Sequence, residues 1–158
     1  MIEEASYGKI KEILFVINTS NREAYKNIIP VECFKGPFMT LEDILEEFSK
    51  MTFYTCKIEN KIVGVAALQI ESREIGWVWH VYVLPRSQRK GIGTGLMEYT
   101  EERAKERGIK RLRLRAGAGG KAFWAINFYT KLGYTPIDKI ETPWGFDLVM
   151  GKELYSLD

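Results

Sequence analysis

Val81-Tyr82-Val83-Leu84-Pro85-Arg86-Ser87-Gln88-Arg89-Lys90-Gly91-Ile92-Gly93-Thr94-Gly95 joins two kinds of periodicity through a single break. Its first residues end a Val-, Trp- and Tyr-rich run, Ile75–Leu84, whose composition suits a central strand. Pro85 cannot donate to a strand ladder and stops the run. After a basic turn, glycines open a helix predicted over Ile92–Arg107, with Leu96, Met97, Thr100 and Ala104 inward and Gly108 as its stop. A helix start of this kind has unpaired N–H groups and the positive end of a dipole, and so attracts anions. Gly91 and Gly93 let a phosphate approach without a Cβ in its way, and Arg89 and Lys90 supply positive charge. The stretch is either a seat for a phosphate-bearing cofactor or an ordinary glycine-rich strand-to-helix turn.

Two familiar phosphate loops are excluded. No Gly-Lys followed by Ser or Thr occurs, so the P-loop of nucleoside triphosphatases is missing. The dinucleotide fingerprint fails where its third glycine would stand, at Leu96, and Lys110-Arg111-Leu112-Arg113 occupies the place of its acidic residue.

Upstream of the break, Ile10, Ile13, Leu14 and Ile17 mark an amphipathic helix that is expected to fade near Asn18–Asn21. Ala24–Met39 reads as a short helix and an irregular loop. Thr40 then caps a second helix, with Asp43 three residues on and the apolar stripe Ile44, Leu45, Phe48. Phe53–Ile58 and Lys61–Ile70 are two strands around a tight turn at Glu59-Asn60, and a polar connection at Glu71–Glu74 leads into the central strand. Downstream come a strand at Ile109–Arg115, a glycine-rich loop at Gly117–Gly120, a helix from Lys121 to Leu132, and strands Tyr134–Ile140 and Phe146–Lys152. Helices, a meander, then helix–strand–helix–strand predict an α/β fold with a mixed sheet.

The chain has 158 residues, which suits one domain spanning 1–158. With 23 basic against 21 acidic residues it demands no polyanionic partner. No apolar run reaches the roughly 18 residues of a membrane span, and the acidic start is unlike a secretory leader, so a cytoplasmic protein with no membrane partner is expected. Cys33 and Cys56 form no C-x-x-C pair and are expected as reduced, buried thiols. A lone histidine, His80, argues against a metal site.

Gln88-Arg89-Lys90-Gly91-Ile92-Gly93 resembles the Q/R-x-x-G-x-G/A signature of the GNAT superfamily of acetyl-CoA-dependent N-acetyltransferases. Ala125-Ile126-Asn127-Phe128-Tyr129-Thr130-Lys131-Leu132-Gly133-Tyr134 is similar to that family's second signature. The resemblance covers Phe53 to Lys152. It implies a mixed, mostly antiparallel central sheet flanked by helices and splayed apart at the cofactor site. It also implies that acetyl-CoA is the acetyl donor and a primary amine the acceptor. The backbone of Val81, Tyr82 and Val83 would pair with pantetheine, and Arg89, Lys90, Gly91, Ile92, Gly93 and Thr94 would hold the diphosphate. Tyr129 matches the family's general acid to the departing thiolate; read alone, it is as readily a core tyrosine beside Phe123, Trp124, Phe128 and Tyr134.

Two departures stand out. Many relatives have a pantetheine-binding Asn where this chain has Ala122, and Asn127 is the substitute candidate. Some relatives have a general-base Glu where this chain has Arg115, which accepts no proton at neutral pH. The base therefore falls to His80, whose alternative is an ordinary hydrogen-bonded sheet histidine; Glu71 and Glu74 are weaker candidates acting through water. By strand alternation Trp77 and Trp79 share one face and His80 and Tyr82 the other. With Phe53, Tyr54, Trp144 and Phe146 they form either an aromatic acceptor groove or plain core. Arg111, Arg113 and Arg115 form a basic stripe that contacts nucleic acid, binds an acceptor carboxylate, or is simply solvated. A CoA-binding sensor without turnover is the rival function, no nucleic-acid partner is expected, and the oligomeric state is open.

Overall fold

The computed structural model describes residues 1–26, 37–116, 123–143 and 145–155. Seven strands form one sheet: β1 (Ile2–Glu4), β2 (Thr52–Ile58), β3 (Lys61–Ile70), β4 (Ile75–Val83), β5 (Arg111–Ala116), β6 (Thr135–Thr142) and β7 (Gly145–Glu153). Their order is β1-β2-β3-β4-β5-β7-β6, and every pairing is antiparallel except β4 with β5. The helices are α1 (Ile10–Tyr25), α2 (Leu41–Phe48), α3 (Ile92–Glu106) and α4 (Phe123–Lys131). The expected mixed α/β sheet is thus present, and β3 sorts the helices onto its two faces. Val63, Val65 and Ala67 pack with α1 and α2, while Ala66 and Leu68 pack on the α3 side.

Local chemistry explains most of the boundaries. Thr40 and Asp43 make a reciprocal capping box at the start of α2, with each side chain accepting from the other's backbone N–H at 3.1 and 2.9 Å. Glu59 and Asn60 both take positive φ, as a two-residue hairpin turn between β2 and β3 requires. Leu96, Met97, Thr100 and Ala104 are fully buried on α3. On β3, Gly64 makes room for that helix: a Cβ there would stand 2.9 Å from both Ile92 Cγ2 and Leu96 Cδ1.

Two expectations need correction. α1 does not fade at Asn18–Asn21 but continues to Tyr25. Its polar residues bond to distant partners: Asn18 exchanges two 2.9 Å hydrogen bonds with the Met39 backbone, and Asn21 donates to the Tyr82 hydroxyl at 2.8 Å. The three-residue β1 was missed. It pairs Ile2–Glu4 with Cys56–Tyr54 along the sheet edge.

Cys56 is a buried free thiol, as expected. Cys33, Ala122, Trp144, the glycine-rich loop and most of the Ala24–Met39 loop lie outside the described residues. Among the described residues no helix is long and apolar enough to cross a membrane.

Candidate active site

β4 and β5 run parallel for three residue pairs, Ile75–Arg111, Gly76–Leu112 and Trp77–Arg113. They then separate, although β4 continues to Val83 and β5 to Ala116. The resulting wedge opens into a cavity of 480 Å³. Its walls come from both faces of the sheet. Ser20, Ala24 and Tyr25 of α1 close one side, and Ile92–Thr94 of α3 with Trp124, Ala125, Phe128 and Tyr129 of α4 close the other. The cavity therefore passes through the sheet, and a ligand entering from one face can meet a ligand from the other.

The stretch after β4 builds one rim. A 3₁₀ turn at Pro85–Ser87 follows the strand, and the Gln88 side-chain amide donates to the Val83 carbonyl at 3.0 Å. Arg89 and Gly91 both take left-handed conformations, with φ of +62° and +80°. Gly91 caps α3 without any side-chain hydrogen bond, and the first amide bonded within the helix is Gly95 N–H, to Gly91 O at 3.0 Å. The N–H groups of Ile92, Gly93 and Thr94 are thus left for another acceptor. A Cβ on Gly91 would meet nothing within 4 Å, so open space stands beside this helix start. Gly93 has a different duty, since its Cβ would stand 3.3 Å from Phe128 Cζ. It lets α3 lie close to α4.

Of the residues singled out from sequence, Val81, Tyr82, Val83, Arg89, Gly91, Ile92, Gly93, Thr94 and Tyr129 all line this cavity. Lys90 and Asn127 are exposed and are not among its walls. His80 is not a wall residue either; its Nε2 lies 2.6 Å from Glu47 Oε2 on α2, and its ring stacks 6.0 Å from Phe53. In the neutral ring that contact places the proton on Nε2 and leaves Nδ1 as the acceptor.

The alternation expected along β4 breaks at this residue. Ala67 pairs with Trp79 but Val65 with Tyr82, so two β4 residues oppose one on β3, and His80 takes a φ of +54°. Trp79 and Tyr82 consequently pack on the same α1-side core, and His80 stacks against Phe53 of that core. His80 and Tyr82 share a face, as read, but Trp79 shares it too. Trp77 stacks on Trp79 at 5.7 Å, and their indole N–H groups donate to Glu71 and Gln69. Glu71 is thereby engaged on the hairpin. Phe53 and Tyr54 are core residues on opposite faces.

Three tyrosines converge on the cavity wall. Burial pushes the Tyr129 phenol well above its ordinary value, with Tyr25 and Tyr82 reinforcing the shift. Tyr82 is raised by burial and Tyr25 alongside it, against the hydrogen bond from Asn21. Burial also raises Tyr25, with Asp147 adding to it. Each keeps its proton at neutral pH and can donate it. Sequence reading missed Ser20, Tyr25, Glu47 and Trp124. Ser20 was legible in principle, because it continues the buried stripe Ile13, Val16, Ile17 with a polar group where packing alone would favour an apolar one.

Comparison with known proteins agrees with this layout. An uncharacterised N-acetyltransferase of Methanocaldococcus jannaschii is 35% identical over 88 residues, which is 52% of this chain and 38% of that protein. The matched segments span 38% and 55% of the curated relatives' lengths. The PaiA N-acetyltransferase of Thermoplasma acidophilum in complex with coenzyme A superposes with a TM-score of 0.81, at 21% identity, covering 97% of this chain and 98% of that one. An acetyl-CoA-bound GNAT family acetyltransferase from Elizabethkingia anophelis gives 0.68 at 18% identity, covering 97% of each chain. The family description "acetyltransferase (GNAT)" matches residues 18–134, from the middle of α1 to the residue after α4's closing glycine, and so includes the whole wedge. With that match over most of its length, the chain belongs to the GNAT acetyltransferase family.

Proposed function

We propose that the chain transfers an acetyl group from acetyl-CoA to a primary amine. The observation that carries this reading is the cavity through the sheet, with free helix-start amides on one rim and the Tyr129 phenol in its wall. The amides of Ile92–Thr94, with Arg89 beside them, suit a diphosphate, and the unpaired side of Val81–Val83 suits an extended pantetheine chain. Lys90 would add only long-range charge, and Asn127 would need to reach the ligand from the exposed side of α4.

In the reaction the amine nitrogen forms a bond to the thioester carbon, the C–S bond breaks, and its electron pair leaves on sulfur. Tyr129 gives that sulfur its proton. The phenol is neutral at pH 7 and so arrives at the step with its proton in place, while the burial that raises it also makes it a weaker acid than a free phenol. The acceptor must lose a proton too, and the described wall contains no carboxylate or imidazole. We assign that step to His80 through Nδ1, with Glu47 as the positioning residue that holds Nε2–H.

The absence of a base from the described wall also favours a second reading, a CoA-binding sensor without turnover. Release of free thiol from acetyl-CoA in the presence of an amine panel separates the two. Transfer predicts amine-dependent thiol release that His80→Gln depresses. Tight acetyl-CoA binding with no thiol release for any amine would leave the sensor.

A further inference from the structure

On the α1 side of the wedge the cavity wall carries one arginine, the last of a stripe along β5. Arg111, Arg113 and Arg115 alternate with Leu112, Leu114 and Ala116, whose side chains pack into the α3–α4 core, so the arginines face α1. Arg115 lines the cavity directly. Arg113 stands two residues below it, beside Trp77 in the last β4–β5 pair. One nitrogen of Arg115, Nη2, is held by Asp147 Oδ2 at 2.8 Å, and the remaining N–H donors of that guanidinium have no acceptor among the described residues. Asp147 therefore fixes the fork while leaving an edge of it to bind something else.

The same cavity holds a second unused group. Ser20 is 3% exposed and lines the same cavity, yet its hydroxyl has no hydrogen-bond partner among the described residues. A buried hydroxyl without a partner is costly unless a ligand completes it. The described wall contains two cations, Arg89 at the α3 rim and Arg115 on the α1 side, and no Asp or Glu. A polycationic acceptor would find no carboxylate there for its second ammonium and would meet Arg115 instead.

We propose that the acceptor is a primary amine that also carries a free carboxylate, bound by Arg115 with Ser20 donating a further hydrogen bond. This deepens the transferase reading and rests on it. Arg115 thereby becomes a specificity determinant, and Asp147 a positioning residue that orients it.

The test pairs amino carboxylates with their own carboxamides, for example glycine with glycinamide and 4-aminobutanoate with 4-aminobutanamide, and adds spermidine as a polycation. Calorimetry with acetyl-CoA runs alongside thiol release, and thermal unfolding confirms that each variant is folded. At least one amino carboxylate is expected to exceed its carboxamide at least tenfold in kcat/KM. Arg115→Met should erase that preference through KM, Arg115→Lys should keep part of it, and both should bind acetyl-CoA as the wild type does. Preference for the carboxamides or spermidine, an unchanged preference in Arg115→Met, or loss of acetyl-CoA affinity in that variant would overturn the acceptor assignment alone. So would acetyl-CoA binding with no turnover or saturable binding of any carboxylate. Failure of the wild type to bind acetyl-CoA would instead overturn the transferase reading on which the inference stands.

Discussion

The two ends of the β4–β5 seam are built from the same pair of strands and do opposite things. At Ile75–Trp77 the strands are paired, and Gly76 sits so tightly that a Cβ would stand 3.1 Å from Leu112 Cδ2 and 3.2 Å from Leu68 Cδ1. At Val81–Val83 the strand has lost its β5 neighbour and borders a cavity. The bulge at His80 lies between these ends. Rigidity at the closed end holds the open end apart, so backbone groups that would be satisfied in a continuous sheet stay available to a ligand. Damage to the closed end should thus lower stability, and damage to the open end should lower function while the fold persists.

The largest effect is expected at the closed end. Leu112 is fully buried beneath the last pairs, and Leu112→Ala should cost about 3 kcal/mol of stability in urea unfolding. A loss below 1 kcal/mol would mean that the seam does not depend on that packing. At the open end, Tyr129→Phe should lower turnover about 100-fold with acetyl-CoA affinity and unfolding midpoint nearly unchanged. Turnover equal to wild type would give the thiolate's proton to another donor.

A smaller contrast separates backbone from side chain at the rim. Gly91→Val forces a β-branched residue into a left-handed conformation and fills the open space beside the helix start. It should weaken acetyl-CoA binding about tenfold, against about threefold for Arg89→Ala, whose exposed charge is screened by salt. Equal losses in calorimetry would show that the amides contribute no more than the cation. Gly93→Val is the poorer probe, because its clash with Phe128 disturbs helix packing as well.

The smallest effect is spectroscopic. Because burial raises Tyr129, its neutral form should persist through pH 10, so the absorbance difference at 295 nm between wild type and Tyr129→Phe should stay flat up to that pH. Titration of Tyr129 below pH 10 would contradict the buried setting of this phenol.

How much of this was legible in the sequence depends on how local each signal is. The β4–α3 junction is written in adjacent residues: a proline stop, a left-handed glycine, then helical spacing. The bulge at His80 is not, because the slip is set by how β4 pairs with Val65–Ala67 more than a dozen residues away. A strict two-residue period therefore misassigned Trp79's face relative to His80. α1 misled for a related reason. Asn21 ends an apolar pattern on paper, but in the fold its partner is Tyr82, 61 residues later. β1 carries only three residues, too few for an alternation to register. Tyr129 was placed by a motif and not by its chemistry, since Tyr134 nearby is just as aromatic and serves packing, donating to the buried Glu101 at 2.8 Å beside Lys152.

Amide hydrogen exchange with and without acetyl-CoA tests the contrast between the two ends of the seam most directly. Amides within Val81–Val83 and Ile92–Thr94 should slow at least tenfold on adding acetyl-CoA, while those of Ile75–Trp77 keep their rates. Protection confined to other segments, or no change at the open end while acetyl-CoA is bound, would contradict it.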